Sequence, residues 1–126
     1  MLTKGLGLPW IAVSDLEQAK KFYVDLLGFR VHEENKEYGW LEVENGGTVF
    51  GICQVGKCDE SGKVKPGQNA ILTFIVGDIE QARKEMEKSA VRFVDKIVEM
   101  PGVFRMTTFV DKDGNMGQLY QSLQSK

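Results

Sequence analysis

The sequence contains a single histidine among its 126 residues, which excludes any site that needs two imidazoles, whether a multi-histidine metal centre or a histidine dyad. Cysteine is almost as scarce. Cys53 and Cys58 have neither Cys-x-x-Cys spacing nor the makings of a zinc framework, so they read as free thiols of a reducing compartment. No apolar run approaches the ~20 residues of a membrane-spanning helix, and the first residues lack the long apolar region of a signal peptide. These absences predict a cytoplasmic protein with no membrane partner. Charge of one sign is missing too: 16 basic against 18 acidic side chains leave a net charge of −2, which gives no electrostatic footprint for nucleic acid.

What is present is a repeat. Val13-Ser-Asp-Leu-Glu-Gln-Ala-Lys-Lys returns as Val76-Gly-Asp-Ile-Glu-Gln-Ala-Arg-Lys, and the shift from Asp15 to Asp78 is half of the 126 residues. In each copy an apolar, strand-like run meets a helix-start signal and then an amphipathic helix. With 42% hydrophobic residues the whole chain, 1–126, reads as one domain built of two modules, able to bury roughly two thirds of its unfolded surface.

The first module spans about residues 6–55. Residues 8–13 form a strand, and Ser14-Asp-Leu-Glu17 reads as a capping box for a helix whose apolar stripe is Leu16, Ala19, Tyr23 and Leu26. Gly28 ends it. Strands follow at 29–33, 38–44 and 48–54, the last two joined by a tight turn at Asn45-Gly46-Gly47. Residues 56–68, polar and rich in Gly and Lys, form a linker. The second module, about 69–123, repeats the plan: strand 70–76, a helix from Asp78 to Ser89, and strands 91–99, 103–110 and 115–121. The fold class is therefore α+β, as two tandem βαβββ modules. Curved mixed sheets surround a cup, with the helices outside.

Several motifs are weak. Asp111-Lys-Asp-Gly-Asn opens like a calcium loop, but the position that requires Glu holds Ser122, so it reads as a turn. Gly5-Leu-Gly7 lacks the third glycine of a dinucleotide loop. His32 lies among charged residues and reads as solvent-facing. Glu42 and Glu44 share a strand face by period two, as a carboxylate pair would, although an exposed sheet face beside a hairpin is the commoner explanation.

The ordered combination of paired βαβββ modules, the stretch from Val13 to Phe29 (Val-Ser-Asp-Leu-Glu through Phe-Tyr to Leu-Gly-Phe), and Asp111-x-Asp-Gly-Asn before the last strand resembles the vicinal oxygen chelate superfamily. This group comprises glyoxalase I, bleomycin resistance proteins and extradiol dioxygenases. The resemblance implies a homodimer and a divalent metal held in the cup by residues of the first and last strands of each module. Carried over by position, those ligands fall at Leu8, near Ile71, near Phe50 or Ile52, and at Gln118. Three of the four are hydrocarbon, so the sequence predicts no metal, no cofactor and no catalytic residue.

What remains is the wall of the cup. The resemblance places Trp10, Trp40, Phe50, Ile52, Gln54, Thr73, Gln118 and Tyr120 around it. Arg105 matches an arginine that in the family could meet a ligand's carboxylate. The expected function is binding of a small, partly aromatic organic molecule, as in drug or metabolite sequestration. The alternative is a glyoxalase-like metal-dependent lyase or isomerase, or a dioxygenase.

Overall fold

The computed structural model describes residues 8–58, 64–67 and 71–124. The chain divides into two compact units, Met1–Ala70 and Ile71–Lys126. Among the described residues no helix is long and apolar enough to cross a membrane. The part of the linker at 59–63 and 68 lies outside the described residues.

The first unit runs β1 (Trp10–Val13), α1 (Leu16–Lys20), β2 (Arg30–Asn35), β3 (Trp40–Asn45) and β4 (Thr48–Gln54), with the strands ordered β1-β4-β3-β2. β1 joins β4 in parallel, and β4, β3 and β2 run antiparallel. The sharp reversal between β3 and β4 follows from Gly46 and Gly47, whose φ angles of 68° and 93° suit the turns that match a hairpin's twist. Between Val31 and Glu33 the pairing of β2 shifts by a bulge.

The cap of α1 differs from the sequence expectation. Asp15, with extended backbone, is the N-cap and accepts from the Gln18 amide at 3.1 Å; Ser14 is not the capping residue. The repeat keeps the same device, for Asp78 accepts from the Gln81 amide at 3.0 Å at the start of α2 (Ile79–Lys88). A further symmetry was not visible in the pattern. Gln54 Oε1 accepts from the Leu16 N–H at 2.9 Å, and Gln121 Oε1 from the Ile79 N–H at 2.9 Å, so a strand-end glutamine in each unit satisfies a first-turn amide that the helix cannot. Beyond Lys20, α1 loosens into a π-type turn, Lys21–Leu26, and chain reversal at Gly28, with φ 86°, ends it.

On the helix side of the first sheet Ile11, Val13, Leu41, Val43, Phe50 and Ile52 are buried, with Leu16, Ala19 and Tyr23 of the helix. Tyr23 and Phe29 meet Phe50 edge-on at centroid distances of 5.6 and 5.4 Å. Each such side chain contributes roughly 1.5 to 3 kcal/mol by leaving water.

The second unit contains β5 (Leu72–Ile75), α2, β6 (Arg92–Phe93), β7 (Val98–Met100), β8 (Phe104–Val110) and β9 (Met116–Ser122). β5 pairs with β9 in parallel, β9 with β8 antiparallel, and both β6 and β7 lie along β8. The single strand expected over 91–99 is thus two short pieces. The reason is Asp95. Its carboxylate accepts from the Thr108 N–H at 2.7 Å and the Thr107 hydroxyl at 3.0 Å, taking ladder positions that a neighbouring strand's backbone would occupy. Arg83 donates to the Asp95 carbonyl at 2.8 Å and to the Thr107 hydroxyl at 2.7 Å, and its guanidinium lies 4.5 Å from the Phe93 ring centre. Burial works against the Asp95 charge, but the hydrogen bonds from Thr108 and Thr107 and the nearby Arg83 outweigh it, and the carboxyl is held below its ordinary value.

Asp111 behaves as a turn residue: its carboxylate accepts from the Asp113 and Asn115 amides, each at 2.9 Å, and from the Asn115 side chain at 2.9 Å.

Candidate functional site

Register decides which side chains share the sheet face away from the helix. Across β1 and β4, Trp10 pairs with Gly51 and Ala12 with Cys53, while across β3 and β4, Trp40 pairs with Cys53 and Glu42 with Gly51. Paired residues point the same way. Trp10, Trp40, Glu42, Gly51 and Cys53 therefore stand on one face, and Ile11, Ile52, Leu41 and Phe50 on the other.

That face holds a cavity of about 360 Å³ lined by Trp10, Glu33, Asn35, Tyr38, Trp40, Cys53 and Cys58. Trp10 and Trp40 meet edge to face, with ring centres 6.3 Å apart and planes at 67°. The Trp40 indole N–H donates to Glu42 Oε2 at 2.8 Å, which fixes the ring's orientation. Gly51 lies beneath the Trp40 ring. A β-carbon there would collide with Cζ2 and Cη2 of Trp40, so only glycine lets the indole approach the strand this closely. Asn35 Oδ1 accepts from the Tyr38 N–H at 2.9 Å and holds the turn that carries the Tyr38 ring, which is 54% exposed.

Cys53 and Cys58 are disulfide-bonded, with their α-carbons 5.8 Å apart, so the expectation of free thiols is corrected. The chain turns back after β4, as the Lys57 and Cys58 amides both donate to the Gln54 carbonyl, and this brings Cys58 over the strand.

Other sequence-predicted site residues fall elsewhere. Phe50 and Ile52 are buried on the helix side and belong to the core. Gln54 is committed to the first turn of α1. Arg105 also points to the helix side of its sheet, where it meets Glu80 at 2.9 Å and Glu99 at 3.3 Å, so it is an ion-pair partner within the second unit. Thr73, Gln118 and Tyr120 do share a face of the second sheet, the one away from α2. There the Thr73 hydroxyl donates to Gln118 Oε1 at 3.3 Å, Gln118 Nε2 to the Thr108 hydroxyl at 3.5 Å, and Tyr120 stacks on Phe104 at 5.7 Å.

Glu33, Asn35, Tyr38, Cys53 and Cys58 were not anticipated as lining. The available signal was alternation outward from Trp40: Tyr38 lies two residues before it, and the neighbouring strand presents every second residue to the same face.

Glu42 and Glu44 do share that face, yet they are not an acid and base pair. Glu44 binds Arg30 at 2.8 Å, and Glu42 is held by Trp40 and lies 4.0 Å from His32. His32 is largely exposed.

The positions that would hold a divalent ion do not fit one. Leu8 and Ile71 offer hydrocarbon, Phe50 and Ile52 are turned into the core, and both ends of the Gln118 amide are engaged by threonines. Among the described residues no three His, Cys, Asp or Glu side chains are grouped to hold a metal.

Comparison with known proteins agrees with this fold. A crystal structure of a superfamily member from Sphaerobacter thermophilus DSM 20745 superposes with a TM-score of 0.77 at 29% identity, covering 97% of this chain and all of that one (100%). TnmS3, an antibiotic binding protein from Streptomyces sp. CB03234, superposes with a TM-score of 0.74 at 26% identity over 97% of this chain and 98% of its own. YetH of Bacillus subtilis (strain 168) is 28% identical over 119 residues, 91% of this chain and 96% of that protein. The sequence pattern of one family matches residues 5–119, across both units, and the chain belongs to that family, the Glyoxalase/Bleomycin resistance protein/Dioxygenase superfamily.

Proposed function

We propose that the protein binds a small organic molecule with a planar aromatic portion, by stacking and enclosure and without a metal ion, as sequestration of a drug or metabolite requires. The observation that carries this reading is the cavity of about 360 Å³ with both tryptophans of the sequence in its wall. Its volume lies at the small end of the range for ligand sites, and its lining follows their general pattern of aromatic walls with a few polar groups. Each well-placed ring contact contributes about 0.5 to 1.5 kcal/mol beyond burial, so a ligand set between Trp10, Trp40 and Tyr38 gains affinity from several at once. The kinship with TnmS3, an antibiotic binding protein, supports the same reading.

The test is a thermal-shift and tryptophan-fluorescence screen of planar drugs and metabolites on the purified protein, alongside metal analysis. The proposal expects ligands that both raise the melting temperature and perturb indole emission, with no chelator-removable metal at stoichiometric level. A panel without effect, or near-stoichiometric metal lost to chelators, contradicts it. The second result favours the glyoxalase-like enzyme instead.

A further inference from the structure

We infer that the ligand of this pocket carries a positive charge on or beside its aromatic frame, with Glu33 as the counter-charge and the Trp40 ring as the surface it faces. The inference rests on the proposal that the pocket binds a ligand, and it adds the ligand's chemical class.

Three observations converge. Glu33 is the one formally charged side chain among the described residues that line the cavity; no Lys, Arg or His stands with it. It is solvent-exposed, and no ion pair engages it among the described residues. Its charge is therefore offered to whatever enters.

The second observation concerns Trp40. Its indole N–H donates to the carboxylate of Glu42 at 2.8 Å, and Glu42 is the cross-strand partner of Glu33. A charged acceptor at the nitrogen pushes electron density into the ring. This deepens the negative face that attracts a cation, and tryptophan already has the strongest such face of any side chain.

Third, the arginine of this strand face is already engaged. Arg30 binds Glu44 at 2.8 Å, and His32 sits 4.0 Å from Glu42. The strand face presents Glu33, Glu42 and Glu44 against Arg30 and His32, so an anionic ligand meets a surplus of acidic side chains on this face. A protonated amine or a ring nitrogen cation meets a carboxylate and an electron-rich indole together.

Equilibrium dialysis with three probes on similar three-ring frames separates charge from shape: aminoacridine as the cation, hydroxymethylanthracene as the neutral form and anthracenecarboxylate as the anion. The expected order is cation, neutral, anion, with the cation favoured over the neutral probe by about tenfold, the combined size of a partly exposed cation–π contact and an ion pair. Glu33→Gln removes the ion-pair share and cuts that advantage to the few-fold the Trp40 face supplies, whereas Glu44→Gln, outside the cavity lining, keeps the advantage whole and leaves neutral binding unchanged.

Equal affinity for all three probes, or a cation preference undiminished by Glu33→Gln, overturns the inference while leaving the binding proposal standing. Failure of every probe to bind, with the thermal melt confirming a folded protein, overturns both.

Discussion

The Trp40 indole occupies the space into which a β-carbon on Gly51 would project, and the β-carbon of Trp10 lies 3.1 Å from the same point. A glycine in the middle of a strand is ordinarily a weak choice, since it packs nothing and loses more entropy on folding than any other residue. Here it allows two tryptophans from different strands to pack close to the same stretch of backbone.

Gly51→Ala therefore forces the Trp40 ring off its seat and stretches its bond to Glu42. Overpacking of this kind costs about 1 to 3 kcal/mol. The expected outcome is a lower urea midpoint together with loss of ligand-induced fluorescence change, measured on the same preparation. Alanine tolerated with unchanged binding means that the ring can sit elsewhere.

Asp95 sets a pH dependence in the second unit. Its folded carboxyl lies below its ordinary value, so it stabilises the fold at pH above the unfolded carboxylate value, and that stabilisation is lost as pH falls through the lower folded value. Asp95→Asn removes the charge that Thr107, Thr108 and Arg83 surround, at a cost of about 1 to 3 kcal/mol near neutrality. Urea melts across the acid range check the sign: the gap between wild type and Asp95→Asn narrows as pH drops. A constant gap would show that the charge itself contributes nothing.

Joining Cys53 to Cys58 fastens the turn after β4 to the wall of the cavity. The loop so closed is short, and chain entropy assigns the bond only about 2 kcal/mol. The larger expected effect is on the pocket. Reduction, or the Cys58→Ser variant, weakens ligand binding severalfold while the melting temperature falls by a few degrees. Mass spectrometry after thiol alkylation establishes the redox state in each sample, and equal affinity in both states would separate the bond from the site.

Much of this architecture was legible because particular residues leave few options. Asn45-Gly46-Gly47 has two consecutive positions that accept positive φ, so the hairpin and the span of β4, Thr48–Gln54, follow directly from sequence. The repeated Asp15 and Asp78 mark both helix starts.

The face of β4 was harder to read. Phe50, Gly51, Ile52 and Cys53 are all buried, and a strand covered on both sides shows no alternation from which to take its phase. Anchoring the site on Phe50 and Ile52 selected the core face. The small residues Gly51 and Cys53, paired with Trp10 and Trp40, mark the open one. Arg105 was misplaced because the residues that engage it, Glu80 and Glu99, come from a helix and a neighbouring strand that no local pattern connects. The division of 91–99 had no signal in periodicity, because a side chain, Asp95, replaces backbone pairing there.

The most direct measurement is a nitrogen–proton correlation spectrum of the uniformly labelled protein during titration with aminoacridine. The sequence has two tryptophans, so it gives two indole N–H signals, and both belong to the cavity wall. The account predicts that both move together and saturably, with Trp10→Ala removing one signal and weakening the response of the other. Saturable binding by dialysis with both indole signals unmoved would place the ligand elsewhere and contradict the account.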